Sequence, residues 1–264
     1  MIPGNPFTNK RYYHHKDFHK PRHSHSKNAP ADVSTQKSGT REIKVIRRVL
    51  DVNDKMAAEN RKRFAEKGVF VLNLMSSPGS GKTTTLEKTL AQIMPEIKSA
   101  VIVGDICTTH DADRLAQTGV PVVQINTDEF GGDCHLVAHV IEKAAGSLDL
   151  DDIDFFVIEN VGNLVCPAEF DIGEDSRVVV LSVTEGEDKP LKYPKMFEQS
   201  DYCVINKIDL LPYVPFDMDR AVACAQEVNP ELRFFHTSAL TGEGMEEWYD
   251  FLATLAGPDQ GAMG

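Results

Sequence analysis

The chain has no apolar run of about 18 residues, the length a membrane-spanning helix needs, and this excludes a helical membrane protein. Its first twenty residues, MIPGNPFTNKRYYHHKDFHK, lack the apolar segment of a secretory leader, so a cytoplasmic location is expected. Cysteine is scarce: five in 264 residues, at positions 107, 134, 166, 203 and 224, odd in number and scattered. Inside a cell such a set reads as core residues or metal ligands rather than disulfides. Residues 1–40 have almost no aliphatic side chains, and Pro3, Pro6, Pro21 and Pro30 interrupt a polar stretch. Such a segment cannot bury enough apolar area to offset its ordering entropy, and it is expected to be disordered.

The net charge of −12 hides a division. Residues 1–48 hold eleven Lys/Arg against three Asp/Glu, a balance of +8, and residues 49–264 hold seventeen against thirty-seven, a balance of −20. No basic surface interleaved with aromatics continues into the acidic body, so a nucleic-acid partner is not expected. Five of the nine histidines, His14, His15, His19, His23 and His25, lie in the basic tail as an interrupted run unlike a purification tag. Flexible imidazoles can gather on Ni²⁺, Cu²⁺ or Zn²⁺ as shallow sites suited to storage; the competing reading is a merely basic arm.

From Arg41 the pattern becomes periodic. Ile43, Ile46, Val49, Leu50, Asn53, Ala57 and Phe64 recur near helical spacing and Gly68 closes the run, which predicts a docking helix over 41–67. Strands are predicted at 69–75, 100–104, 120–126, 154–159, 177–183, 202–206 and 233–237. Helices are predicted after residue 83, near 111–117, 134–145, 192–198 and 218–228, and at the end around Met245, Trp248 and Leu252. The first strand, VFVLNLM, is apolar without alternation, as a strand buried on both faces must be. Strands alternating with helices indicate an α/β fold with a doubly wound, mostly parallel sheet. The expected organisation is a His-rich tail over 1–40, one domain over 41–258 and a flexible end over 259–264.

SSPGSGKT, residues 76–83, follows the P-loop pattern with Ser76 in the first Gly position, and identifies a P-loop NTPase. Gly79 and Gly81 let backbone N–H groups face phosphate oxygens at the start of a helix. Lys82 can reach the β- and γ-phosphates, and the Thr83 hydroxyl can take one position on Mg²⁺. The cradle therefore comprises Ser77, Pro78, Gly79, Ser80, Gly81, Lys82, Thr83 and Thr84. Downstream, NKID (206–209) and SAL (238–240) each follow a strand. Asp209 can accept from the donor edge of guanine, which adenine lacks, while Asn206 braces the loop and the Lys207 stem covers the base; Ser238 and Ala239 complete the pocket for GTP or GDP. Glu159, ending a further strand, can hold Mg²⁺ directly or through water, and Gly162 can donate its N–H to the γ-phosphate. Asp105 is the other candidate Mg²⁺ ligand; either carboxylate can instead cap a helix. Lys82, Asp105 and Glu159 are the catalytic candidates for a slow intrinsic hydrolysis.

Cys134 and His135 are adjacent, and Cys166 lies seven residues after Glu159. Thiolate and imidazole suit Ni²⁺ and Zn²⁺, although the spacing alone is a weak pattern that favours inert core cysteines over ligands. Cys203 and Cys224 fall in core positions, and Cys107 with His110 forms a C-x-x-H in a loop.

The strings SSPGSGKT, GGDCH, ENVGNLVCPAEFDIGE, VVVLSVTEGEDKPLKYPKMF, NKIDLLPY and TSALTGEGMEEW together resemble the HypB family, hydrogenase nickel-incorporation GTPases of the signal-recognition-particle/MinD class. The resemblance runs from about Arg41 to Leu255; the urease-accessory GTPase UreG shares the architecture without these long strings. It implies a GTPase that dimerises on GTP and supplies Ni²⁺ for [NiFe]-hydrogenase maturation. Its implied partners are a HypA-type metallochaperone and the hydrogenase large-subunit precursor. It also implies that Cys134, His135 and Cys166 bind Ni²⁺ or Zn²⁺ near a dimer interface. Some members carry an N-terminal C-x-x-C-G-C motif that this chain lacks; its His tract matches the family's storage variant. A second class of reading keeps the chain mainly as a nickel reservoir whose GTPase is a docking platform.

Overall fold

The inner strands of the sheet are buried on both faces because helices cover it from both sides, while the two edge strands are only partly buried. The computed structural model describes residues 39–93, 96–105, 109–127 and 135–257. Seven parallel strands are found there: β1 (Phe70–Ser76), β2 (Ser99–Asp105), β3 (Val122–Asn126), β4 (Phe155–Glu159), β5 (Ser176–Ser182), β6 (Tyr202–Asn206) and β7 (Arg233–His236). Their order, β3-β2-β4-β1-β5-β6-β7, puts β1 at the centre between β4 and β5. Leu74 of β1 pairs with Glu159, the last residue of β4, and β1 runs two residues further, to Ser76.

Alternation along β1 sorts the core. Leu72 and Leu74 face a cluster with Leu86, Leu90, Leu115, Phe235 and Trp248, covered by α2 (Lys82–Ile93), α3 (His110–Ala116) and α8 (Met245–Ala256). The opposite face packs Val71, Ile102, Phe156 and Ile158 under α1 (Gly39–Glu66) and α4 (Ala138–Ala145). Further along that face, Met75, Val179 and Leu181 lie under α6 (Pro194–Glu198) and α7 (Met218–Val228). The single tryptophan buries its ring edge-to-face on Phe235 and donates its indole N–H to Thr89 Oγ1 at 3.0 Å. The fold is the doubly wound P-loop architecture the sequence predicts. No helix among the described residues is long and apolar enough to cross a membrane.

α1 stops as expected at Gly68, whose φ is +69°. Val69 N donates to Phe64 O and Gly68 N to Ala65 O, the paired bonds of a Schellman cap. Two predicted helices differ. The one expected over 134–145 begins only at Ala138, because Leu136 N donates to Asn160 Oδ1 and the Leu136 side chain fills the space over Gly104, holding that segment extended. The helix expected over 192–198 is divided into α5 (Lys189–Lys192) and α6 at Tyr193, which precedes Pro194 and is pushed out of helical geometry.

Candidate functional site

The loop from Ser76 to Lys82 connects β1 to α2 at the carboxyl edge of the sheet, where a doubly wound fold places its ligands. Gly79 and Gly81 take φ of +78° and +94°. A Cβ on Gly81 would stand 2.4 Å from Asn206 Nδ2, so glycine is required there by contact as well as by dihedral. The loop walls a cleft of about 530 Å³ with Gly104, Asp105, Asp111, Arg114, Val161, Gly162 and Lys207.

Lys82 Nζ lies 2.8 Å from Glu159 Oε1, and the Thr83 hydroxyl donates to the same oxygen at 2.6 Å. Glu159 is 1% exposed and its Oε2 has no hydrogen-bond partner among the described residues. A buried carboxylate with an oxygen to spare, beside a threonine hydroxyl, is a hard-oxygen donor set that fits Mg²⁺. Asp105 ends β2 and lines the same cleft. Gly162 lies against the phosphate loop: a Cβ there would be 3.3 Å from the Pro78 backbone. The segment after Glu159 is thus in direct reach of whatever the loop holds.

The two loops predicted to recognise the base are fastened to the phosphate loop. Asn206 Nδ2 donates to Ser80 O at 3.0 Å while its Oδ1 accepts from Ala239 N at 3.1 Å. Lys207 is held at a left-handed φ of +65°, and its Nζ donates to Gly79 O at 2.6 Å. Asp209 Oδ1 accepts from the Ser238 hydroxyl at 2.6 Å. Ser77 hydrogen-bonds Glu185, which also accepts from Ser182 N. Sequence reasoning missed Glu185 and Arg114. Arg114 lines the cleft and donates to Thr84 Oγ1 and Glu87 Oε2, at 3.1 and 2.6 Å. Its signal was the D-A-D-R turn after Asp105, which sets the guanidinium on the α3 face toward α2.

Of the thiol and imidazole candidates, His135 and Cys166 are described. The His135 ring stacks on Phe170 with centroids 4.0 Å apart. Cys166 is partly buried and opens the short turn Cys166–Glu169 that leads to Phe170. The segments carrying these two donors therefore meet. Cys134, Cys107 and the tail histidines lie outside the described residues, within which no cluster of three His, Cys, Asp or Glu side chains is arranged for a metal. His110 is exposed at the start of α3. Cys203 and Cys224 are buried in β6 and α7, and burial pushes the Cys203 thiol far up, as for an inert core residue.

Residues 70–236 match the family described as CobW/HypB/UreG, nucleotide-binding domain. The chain is 54% identical over 206 residues to the hydrogenase maturation factor HypB of Escherichia coli K12, covering 78% of this chain and 70% of that protein. It is 43% identical over 216 residues to the hydrogenase/urease maturation factor HypB of Helicobacter pylori J99, covering 80% of this chain and 87% of that one. Among solved structures, HypB from Helicobacter pylori in complex with nickel superposes with a TM-score of 0.72 at 43% identity, over 76% of this chain and 94% of that one. HypB from Archaeoglobus fulgidus superposes with a TM-score of 0.73 at 39% identity, over 78% of this chain and all of that one.

Proposed function

The chain belongs to the HypB family of hydrogenase maturation factors, and on that premise we propose that it is a GTP-hydrolysing metallochaperone that supplies Ni²⁺ to [NiFe]-hydrogenase. The observation that carries this reading is continuity. Cys166 is the seventh residue after Glu159, which is bonded to Lys82 and Thr83, and four more reach Phe170, on which His135 stacks. Nucleotide chemistry and metal chemistry share one short segment.

In the proposed cycle GTP enters the cradle and Lys82 exchanges Glu159 for the β- and γ-phosphates. Asp209 accepts from the guanine edge, and the Lys207 stem lies across the base. Thr83, Asp105 and Glu159 are the residues that would hold Mg²⁺, which supplies charge neutralisation on the phosphates. Gly162 donates its N–H to the γ-phosphate, and Arg114 adds a positive charge at the cleft wall. Loss of the γ-phosphate releases the segment from Glu159 to Gly162, and Cys166 moves with it. The geometry around Cys134, His135 and Cys166, as ligands of Ni²⁺ or Zn²⁺, then differs between the two nucleotide states. The Helicobacter pylori relative's structure with nickel supports Ni²⁺ as the cargo. The His-rich tail is a storage arm, and a HypA-type metallochaperone, the hydrogenase large-subunit precursor and a second copy of this chain are the proposed partners in the cytoplasm.

Linkage makes the proposal testable: if nucleotide changes nickel affinity, nickel changes nucleotide affinity by the same factor. Nickel titrations in GDP and in a non-hydrolysable GTP analogue are expected to give different affinities. Equal affinities would sink the coupling.

A further inference from the structure

A docking helix needs only apolar residues on its buried face, yet α1 presents Asn53 and Asn60 beside Ala57 and Phe64, all four at helical spacing and all buried. Burying an amide costs free energy unless its groups are paired, so the partners of these two are informative. Asn53 Nδ2 donates to Asp171 O at 2.7 Å, while its Oδ1 accepts from Ala138 N at 3.0 Å. Asn60 Nδ2 donates to Ala138 O at 2.8 Å and to Ile172 O at 3.1 Å. Both asparagines therefore bridge the same two backbone segments, one three residues after His135 and the other just past Cys166 and Phe170.

The contact is built closely on both sides. Ala138 opens α4, whose first N–H groups have no intrahelical acceptor, and the residue before it is Val137, which offers no side-chain cap. Asn53 caps α4 from another helix. Opposite, Gly173 sits at φ +95° directly under α1, where a Cβ would stand 2.5 Å from Asn60 Cβ and 2.8 Å from Ala57 O. A third side chain of α1, Arg61, reaches only one of the two segments, donating to Asp171 Oδ1 and Glu174 O.

We infer that Asn53 and Asn60 are positioning residues that staple the His135 segment to the Cys166 segment, so that α1 sets the geometry of the nickel site without touching the metal. The inference rests on the reading of His135 and Cys166 as nickel ligands. Groups that orient ligands from behind commonly change metal affinity by about 10- to 100-fold when removed.

The test is nickel titration of the full chain, followed by thiolate-to-nickel charge-transfer absorption, which the tail imidazoles do not produce. Asn60→Ala is expected to weaken nickel binding about tenfold and to alter the band, with GDP affinity unchanged. Asn53→Asp keeps the acceptor for Ala138 N and loses the donor to Asp171 O, so it breaks one bridge while leaving α4 capped; it is expected to act in the same direction and is the variant to use if Asn60→Ala does not fold. Arg61→Ala, which loosens α1 on the Cys166 side alone, is expected to lower thermal stability and hold nickel affinity within about twofold of the parent. Parent-like nickel affinity in both asparagine variants would overturn the staple, as would an equal loss in Arg61→Ala. A parent protein with no charge-transfer band, or one insensitive to Cys166→Ser, would overturn the ligand assignment itself.

Discussion

Glu159 answers two demands with one oxygen. A carboxylate buried to 1% exposure is costly without partners, and Oε1 takes both the Lys82 ammonium and the Thr83 hydroxyl. The same ion pair holds Lys82 away from the phosphates it is proposed to bind, so nucleotide entry must break it. Glu159→Gln keeps the shape and removes the charge. We expect it to bind GDP more tightly without Mg²⁺, because Lys82 is released, and to lose about 100-fold in Mg²⁺-dependent GTP hydrolysis measured by phosphate release. At the other end of the cleft, Asp209 is already oriented by the Ser238 hydroxyl. Asp209→Asn places a donor where the guanine edge also donates; GTP affinity should fall by at least about 100-fold, with xanthosine triphosphate, whose 2-oxo group accepts, bound better than GTP.

α1 and α4 show what could be read from the chain and what could not. Gly68 signals the end of α1 because a left-handed residue after a periodic run has few other uses, and the cap forms there. The NKID and SAL strings likewise sit where spacing puts them, since residues directly following buried strands can only emerge at the sheet's carboxyl edge. The start of α4 was not legible: His135 to Val137 look like the first turn of an amphipathic run, and it is distant residues, Asn160 and Gly104, that hold Leu136 extended. Asn60 was invisible for the same reason, its partners lying 78 and 112 residues away. This α1 junction also has a pH signature. Burial opposes ionisation of Asp171, but the Gly173 N–H and the Arg61 guanidinium outweigh it and hold its carboxyl below the usual carboxylate range. Its contribution is therefore present above that range and is lost as pH falls through the lowered value. Asp175, raised by burial against the Val71 N–H, works in the opposite sense. Asp171→Asn is expected to be less stable at neutral pH and to lose less on acidification, as read from denaturant midpoints at both pH values.

At the scale of the molecule, the −12 net charge joins two unlike parts. The acidic body has to bind an anion, so the local positive charge at the cleft comes from Lys82, Lys207, Arg114 and the N–H groups at the start of α2. The basic tail, with five histidines, is proposed to serve a separate need, metal storage. Deleting residues 1–38 is expected to lower the number of nickel ions bound while GTP hydrolysis and the thiolate–nickel band persist, with hydrogenase maturation retained. Lys82→Ala is expected to do the reverse, keeping nickel capacity and losing maturation. The opposite pair of outcomes would establish the reservoir reading, in which the tail is essential and hydrolysis is dispensable.

The strand order also dictates a timetable for synthesis. β1 is made first, yet its neighbours are β4 and β5, whose partner residues begin at Phe155 and Ser176. Until those emerge from the ribosome the central strand has no ladder on either side, and such non-local pairing is slow to form. The phosphate loop waits longer still, because the amide that braces Ser80 belongs to Asn206, 126 residues downstream. A nascent chain halted before that residue carries the whole of SSPGSGKT without the brace that shapes it. The nucleotide socket is thus among the earliest parts of the domain to be translated and among the last to be finished.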